Sequence, residues 1–118
     1  MQVQFTPNEL QVLTDTLARH NRELGHEIAR TDDREVKNML MEKFDLLTSL
    51  QSQLVLGGEI QLSTEKGAVL AEVLDQSERA LYFEIARTDD RAFKRMLQKN
   101  LEWLECAHHK ITEACAAA

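Results

Sequence analysis

The eight residues Glu27-Ile28-Ala29-Arg30-Thr31-Asp32-Asp33-Arg34 recur letter for letter from Glu84 to Arg91. In a chain of 118 residues, an identity that long implies a tandem repeat: one unit, used twice. The flanks keep the same offset of 57 positions. Leu24 matches Leu81, Lys37 matches Lys94, Met39 matches Met96, Leu40 matches Leu97 and Leu47 matches Leu104. Upstream, Val12 and Leu13 match Val69 and Leu70, and Leu17 matches Leu74. Any fold for this chain has to place two like halves.

Each half reads as two helices. Thr6-Pro7-Asn8-Glu9 is a start signal: Thr6 caps, Pro7 takes the first helical position and Glu9 closes a capping box. Phe5 before the cap can staple onto Leu10. Leu10, Leu13, Leu17, Leu24 and Ile28 then recur at helical spacing, with His20 and Asn21 at the edges of their face. Thr31-Asp32-Asp33 predicts a turn, because Thr and Asp are poor inside helices and good at caps. Asp32 is expected to cap the second helix with Glu35 as box partner. That helix is expected to bury Val36, Leu40, Phe44, Leu47 and Leu54 and to end near Val55.

Gly57-Gly58 stops the second helix, and residues 57–61 read as a linker. Leu62-Ser63 repeats the Phe5-Thr6 arrangement of staple and cap. The third helix offers Leu70, Leu74, Leu81 and Ile85. A second Thr88-Asp89-Asp90 break follows, and the fourth helix offers Phe93, Leu97, Leu101, Leu104 and Ile111, with His108 and Cys115 on the same stripe. Four amphipathic helices with short connections predict an all-α, antiparallel four-helix bundle, up-down-up-down, built from two tandem helical hairpins. Residues 1–118 form one domain, with repeat one over about 5–56 and repeat two over about 62–115. Either hairpin alone would leave its apolar stripe in water; two can bury it against each other. A hairpin homodimer, later fused, is a natural ancestor.

The pattern Leu-x-x-Glu-Ile-Ala-x-Thr-Asp, followed by an apolar-periodic helix, resembles that of short bacterial helical-hairpin proteins of unknown function. The resemblance covers about residues 10–54 and again 67–111. It implies the hairpin and brings no activity with it.

Charge and composition narrow the function classes. The net charge is −6, and both halves are mildly acidic: six Lys/Arg against nine Asp/Glu in residues 1–57, and eight against eleven in 58–118. Phosphate backbones need a basic stripe, so no nucleic-acid partner is expected. No apolar run approaches the ~20 residues that span a bilayer, and Met1 to Thr6 lacks the basic and apolar regions of a signal peptide. A cytoplasmic location with no membrane partner is the expectation. In a helix Cys106 and Cys115 stand about 13 Å apart along the axis, too far for a disulfide within the chain. They read as free thiols of a reducing compartment.

Several groups of residues are candidates for chemistry. The repeated corner gathers Glu27, Arg30 and Arg34 with Glu84, Arg87 and Arg91, flanked by Lys37 and Lys94. As a site it would be a charged cleft at one end of the bundle, able to bind a small polar ligand or to assist hydrolysis. As structure, each glutamate would pair within its own corner and fix the turn. Glu23-x-x-His26 and Glu105-x-x-His108 have the spacing of di-iron bundles, but that chemistry needs both side chains inward, and helical arithmetic turns Glu23 and His26 out. His108 reads better as a core-edge histidine with a local hydrogen bond. Glu42, Asp45 and Glu102 fall on outer faces and read as solvated. Cys106 and His109 are only two of the four ligands of a structural zinc site. No metal or other cofactor is expected.

The third helix carries a second apolar face, Val69, Val73, Ala80 and Phe83, where the first has Val12, Thr16, Glu23 and His26. Apolar residues that a closed bundle leaves in water mark a contact surface. If the helices are instead turned about their axes, the same residues merely widen the core. Trp103 and Leu46, matched by the repeat, sit off-centre and fit either account. The reading is therefore a non-enzymatic interaction or regulatory bundle that self-associates through the third helix, as a homo-oligomer or with a protein partner. The alternative is a small-molecule-binding or hydrolytic bundle using the Glu27/Glu84 corner.

Overall fold

Helix ends fall where the capping side chains put them. The computed structural model describes residues 2–57 and 59–117. Helix α1 spans Pro7–Arg30, α2 Arg34–Gly57, α3 Thr64–Arg87 and α4 Arg91–Ala116. Thr6 and Glu9 close the capping box: the Glu9 amide donates to Thr6 Oγ1 at 3.2 Å, and the Thr6 amide donates to Glu9 Oε1 at 2.9 Å. Ser63 accepts from the Lys66 amide at 3.1 Å and starts α3. At the Thr-Asp-Asp breaks the second aspartate does the capping, not the first. Asp33 Oδ1 accepts from the amides of Glu35 and Val36, and Asp90 Oδ1 accepts from that of Phe93. Asp32 lies one residue too early to reach those amides. The hydroxyls of Thr31 and Thr88 close α1 and α3 by donating to the carbonyls of Glu27 and Glu84, each at 2.6 Å.

These turns make an all-α four-helix bundle. α1 and α3 leave one end of the molecule, and α2 and α4 return to it. That end holds two short strands, β1 at Gln2–Gln4 and β2 at Glu59–Gln61, paired antiparallel. The sequence predicts only a linker at residues 57–61, and the strands add to it. Alternation of Gln-Val-Gln and Glu-Ile-Gln puts one apolar residue of each strand inward, and Val3 and Ile60 are both buried. Gly57 ends α2, two residues later than expected; Gly58, the other half of the expected stop, lies outside the described residues.

Val3 pairs with Ile60, and these residues are 57 positions apart. The local twofold of an antiparallel ribbon passes through its central pair. The same offset relates the first residues of α1 and α3, and of α2 and α4. It also relates two ties to the ribbon: Lys110 Nζ donates to the Gln4 carbonyl at 3.3 Å, and the Gln61 amide donates to Gln53 Oε1 at 2.9 Å. Lys110 further grips Glu9 Oε1 at 2.6 Å, joining α4 to α1. Burial lifts the Glu9 carboxyl, but that lysine and the Thr6 amide outweigh it and hold the pKa below its ordinary value.

The core sits in the half of the molecule next to the ribbon. Leu13, Leu17, Leu47, Leu50, Leu70, Leu74, Leu104 and Ile111 are wholly removed from water. Truncating any one of them to Ala should cost about 2–5 kcal/mol. At the α3–α4 contact Gly67 leaves room for Cys115; a Cβ there would run into its Sγ. Burial then stops. No residue of 25–46 or of 78–96 is buried. Val36 and Phe93, expected in the core, are 40% and 41% exposed. Two hairpins fastened at the ribbon cover each other only as far as Leu24 and about Leu81. Beyond that Ile28, Leu40, Phe44 and Ile85 are only half-buried, and Val36 and Phe93 of the same stripes are exposed.

Candidate functional site

The free ends of the hairpins are the feature that packing does not explain. Seven of the nine large apolar side chains exposed among the described residues lie there: Val36, Met39, Met41, Tyr82, Phe83, Phe93 and Met96. Val36 and Met39 stand one turn apart on α2, and Phe93 and Met96 one turn apart on α4. They are the same positions of the two halves. Asp33 and Asp90 fix the first turns that carry them. On α3, Phe83 is 63% exposed, and Arg87 lies 5.1 Å over its ring. The Tyr82 hydroxyl donates to Glu105 Oε2 at 2.8 Å, which raises its pKa. Such contacts hold rings at a surface without hiding them.

The apolar face predicted for α3 divides at this boundary. Val73 is fully buried and belongs to the interior, while Val69 is half-buried and packs against the core edge. Val73 is therefore closed to a partner in this fold, whereas Val69 lines a surface cleft with Met39, Leu40 and Leu46. Ala80 and Phe83 are exposed. Trp103 and Leu46 are half-buried and pack on the core.

Among the described residues the charged corner lies open to water. Glu27, Arg30, Arg34, Glu84, Arg87 and Arg91 are all exposed, and none lines any of five delineated surface clefts. The glutamate carboxylates do not fix the turns either. Their backbone carbonyls do so, through the threonine hydroxyls, and Arg30 Nε reaches the His26 carbonyl at 3.4 Å.

The remaining candidates are dispersed. Glu23 and His26 are exposed, as are Glu42, Asp45 and Glu102. His109 pairs with Glu113 at 2.9 Å, and Cys106 is exposed. Among the described residues no three His, Cys, Asp or Glu side chains come together as metal ligands.

His108 is the hydrogen-bonded core-edge histidine that the sequence predicts, but its partner comes from the neighbouring helix. His108 Nδ1 lies 2.8 Å from Glu78 Oε2, between α4 and α3. At the equivalent positions of the other hairpin, Asn21 Nδ2 donates to Gln51 Oε1 at 2.9 Å and, at 3.4 Å, to Thr48 Oγ1. Both halves thus carry one polar pair across the hairpin at the core edge, ionisable in one and neutral in the other. The offset of 57 applied to Asn21 and His108 was the available signal. Asn21 Oδ1 is buried without a partner among the described residues.

Near the mid-length of α1 and α3, Thr16, His20 and Glu23 face Ser77 and Ala80 across a small cleft. Burial, then Lys43, pushes the His20 pKa below its ordinary 6.5 against the pull of Glu23 and Glu72.

Comparison of the chain with protein-family models, curated proteins and solved structures finds no match.

Proposed function

We propose that this chain is a non-enzymatic protein-interaction module whose contact surface is the pair of hairpin tips. The ribbon and the core beside it are the scaffold; the tips are the working part. The observation that carries this reading is the exposure of Val36 and Met39 on one hairpin and of Phe93 and Met96 on the other. A stripe that continues past the end of its own packing is suited to meet another protein. Phe83 extends the surface onto α3, and half-buried Val69 borders it through the cleft it shares with Met39, while Val73 lies in the core. A tandem duplication of an ancestral strand-and-hairpin unit, itself a twofold dimer, fits the ribbon centred on Val3 and Ile60. The free thiols Cys106 and Cys115 suit a reducing compartment such as the cytoplasm.

A photo-crosslinking phenylalanine analogue placed at position 83, in the protein expressed in its own cell, tests the reading. It should give a discrete protein adduct, and the same analogue at exposed Leu56, beside the ribbon, should not. A smear or no adduct at position 83, or the same adduct from both positions, would remove it.

A further inference from the structure

We infer that the occupant of the tips is a second copy of this chain, joined tip end to tip end about a twofold axis. This rests on the reading of the tips as a docking surface and names the partner.

Three observations point to a copy. The first is area. The chain exposes 7613 Å², where a compact monomer of 13.5 kDa exposes about 6,500 Å². Its radius of gyration is 15.0 Å, against about 13.5 Å for a compact domain of this length. The excess, roughly 1,100 Å² over the whole chain, is of the size of the ~800 Å² that one partner contributes to a stable interface, and seven of the nine large apolar side chains exposed among the described residues lie at the tips.

The second is charge. Segments 27–39 and 84–96 together carry seven basic and seven acidic side chains. The whole net charge of −6 therefore lies on the rest of the molecule. Two copies meeting through their tips bring neutral segments together and keep the net-acidic remainders apart. The sign also alternates within each tip, since Arg30, Arg34, Arg87 and Arg91 flank the aspartate doublets. An isologous contact requires self-complementarity of that kind.

The third is symmetry. The surface is presented twice, at positions 57 apart. A partner that fills both presentations has to offer its own complement twice, and this chain does so.

Sedimentation equilibrium over about 1–200 μM tests the inference, a span covering the micromolar affinities of modest interfaces. The wild type should approach twice 13.5 kDa at the upper end. Met39→Glu with Met96→Glu should stay at 13.5 kDa throughout, with an unchanged helical circular-dichroism signal and thermal midpoint. Leu56→Glu, at an exposed site beside the ribbon, should leave the dimer intact. Crosslinking of mixed ¹⁴N- and ¹⁵N-labelled wild type provides a measurement that needs no folded variant; it should join tip peptides of different copies. A wild type monomeric throughout overturns the inference, as does a dimer that the ribbon-end variant disrupts and the tip variant does not. If the chain is monomeric while position 83 still captures one other protein in the cell, the copy is excluded and the docking surface stands. If position 83 captures nothing as well, both fall.

Discussion

At the residue scale the molecule shows what a polar side chain needs at the edge of a core. Glu78 and His108 keep only 13% and 22% of their side-chain surface, so each depends on the other. Replacing His108 by Ala should leave the carboxylate half-buried without its partner and cost about 1–3 kcal/mol. Glu78→Asn with His108→Gln rebuilds the Asn21–Gln51 pair of the other hairpin and should recover most of the loss. The shift in urea midpoint at constant slope measures both; equal destabilisation by the single and the double change would contradict the account. His20 gives a pH dependence. Its folded pKa lies below the ordinary 6.5, so the folded chain binds fewer protons there than the unfolded one. Its contribution to stability is intact above about pH 6.5 and falls as the pH drops from there through its folded value. Stability of His20→Gln, followed by denaturant midpoint from pH 7 to 5, should decline less steeply than that of the wild type. Parallel curves would remove the assignment.

At the element scale the turns decide the architecture. Asp33 and Asp90 satisfy the first free amides of α2 and α4, whereas Asp32 and Asp89 have no such role. Asp33→Ala and Asp90→Ala should each cost about 1 kcal/mol. Asp32→Ala and Asp89→Ala should fall within about 0.5 kcal/mol of wild type, as surface changes do. Thermal midpoints of the four variants check this, and the reverse order would return the cap to the first aspartate. The breaks themselves were legible, because Thr and Asp announce a cap and the capping box at Thr6 announces a helix start. Which aspartate caps depends on a one-residue choice of backbone angle that composition does not encode. The strands at Gln2–Gln4 and Glu59–Gln61 were not legible either. Three residues are too short for alternation to register, and the pairing joins segments that are distant in the chain.

At the scale of the whole molecule, the sequence carried the fold and misplaced the core. Helical periodicity marks Val36 and Phe93 as stripe residues as firmly as Leu47 and Leu104. Burial, however, depends on whether another element lies opposite, and periodicity is silent on that. The same limit split the predicted face of α3, sending Val73 inward and leaving Phe83 in water. The charged corner suffered from a related gap: side chains sharing a corner make a cleft only if the elements enclose a space between them. The pairs Asn21–Gln51 and Glu78–His108 were within reach of the repeat offset, since each is the image of the other. The architecture that results is two hairpins clasped at a ribbon, packed on each other as far as Leu24 and about Leu81, with apolar side chains exposed beyond.

Amide hydrogen exchange resolved by position tests that description most directly. In dilute wild type, or in Met39→Glu with Met96→Glu, amides of residues 13–24, 47–54, 70–77 and 101–111 should be the most protected. Those of residues 27–39 and 84–96 should exchange orders of magnitude faster, as unpacked helix does. Raising the concentration of the wild type should slow exchange at the tips alone. Uniform protection along all four helices of the dilute chain would contradict the account.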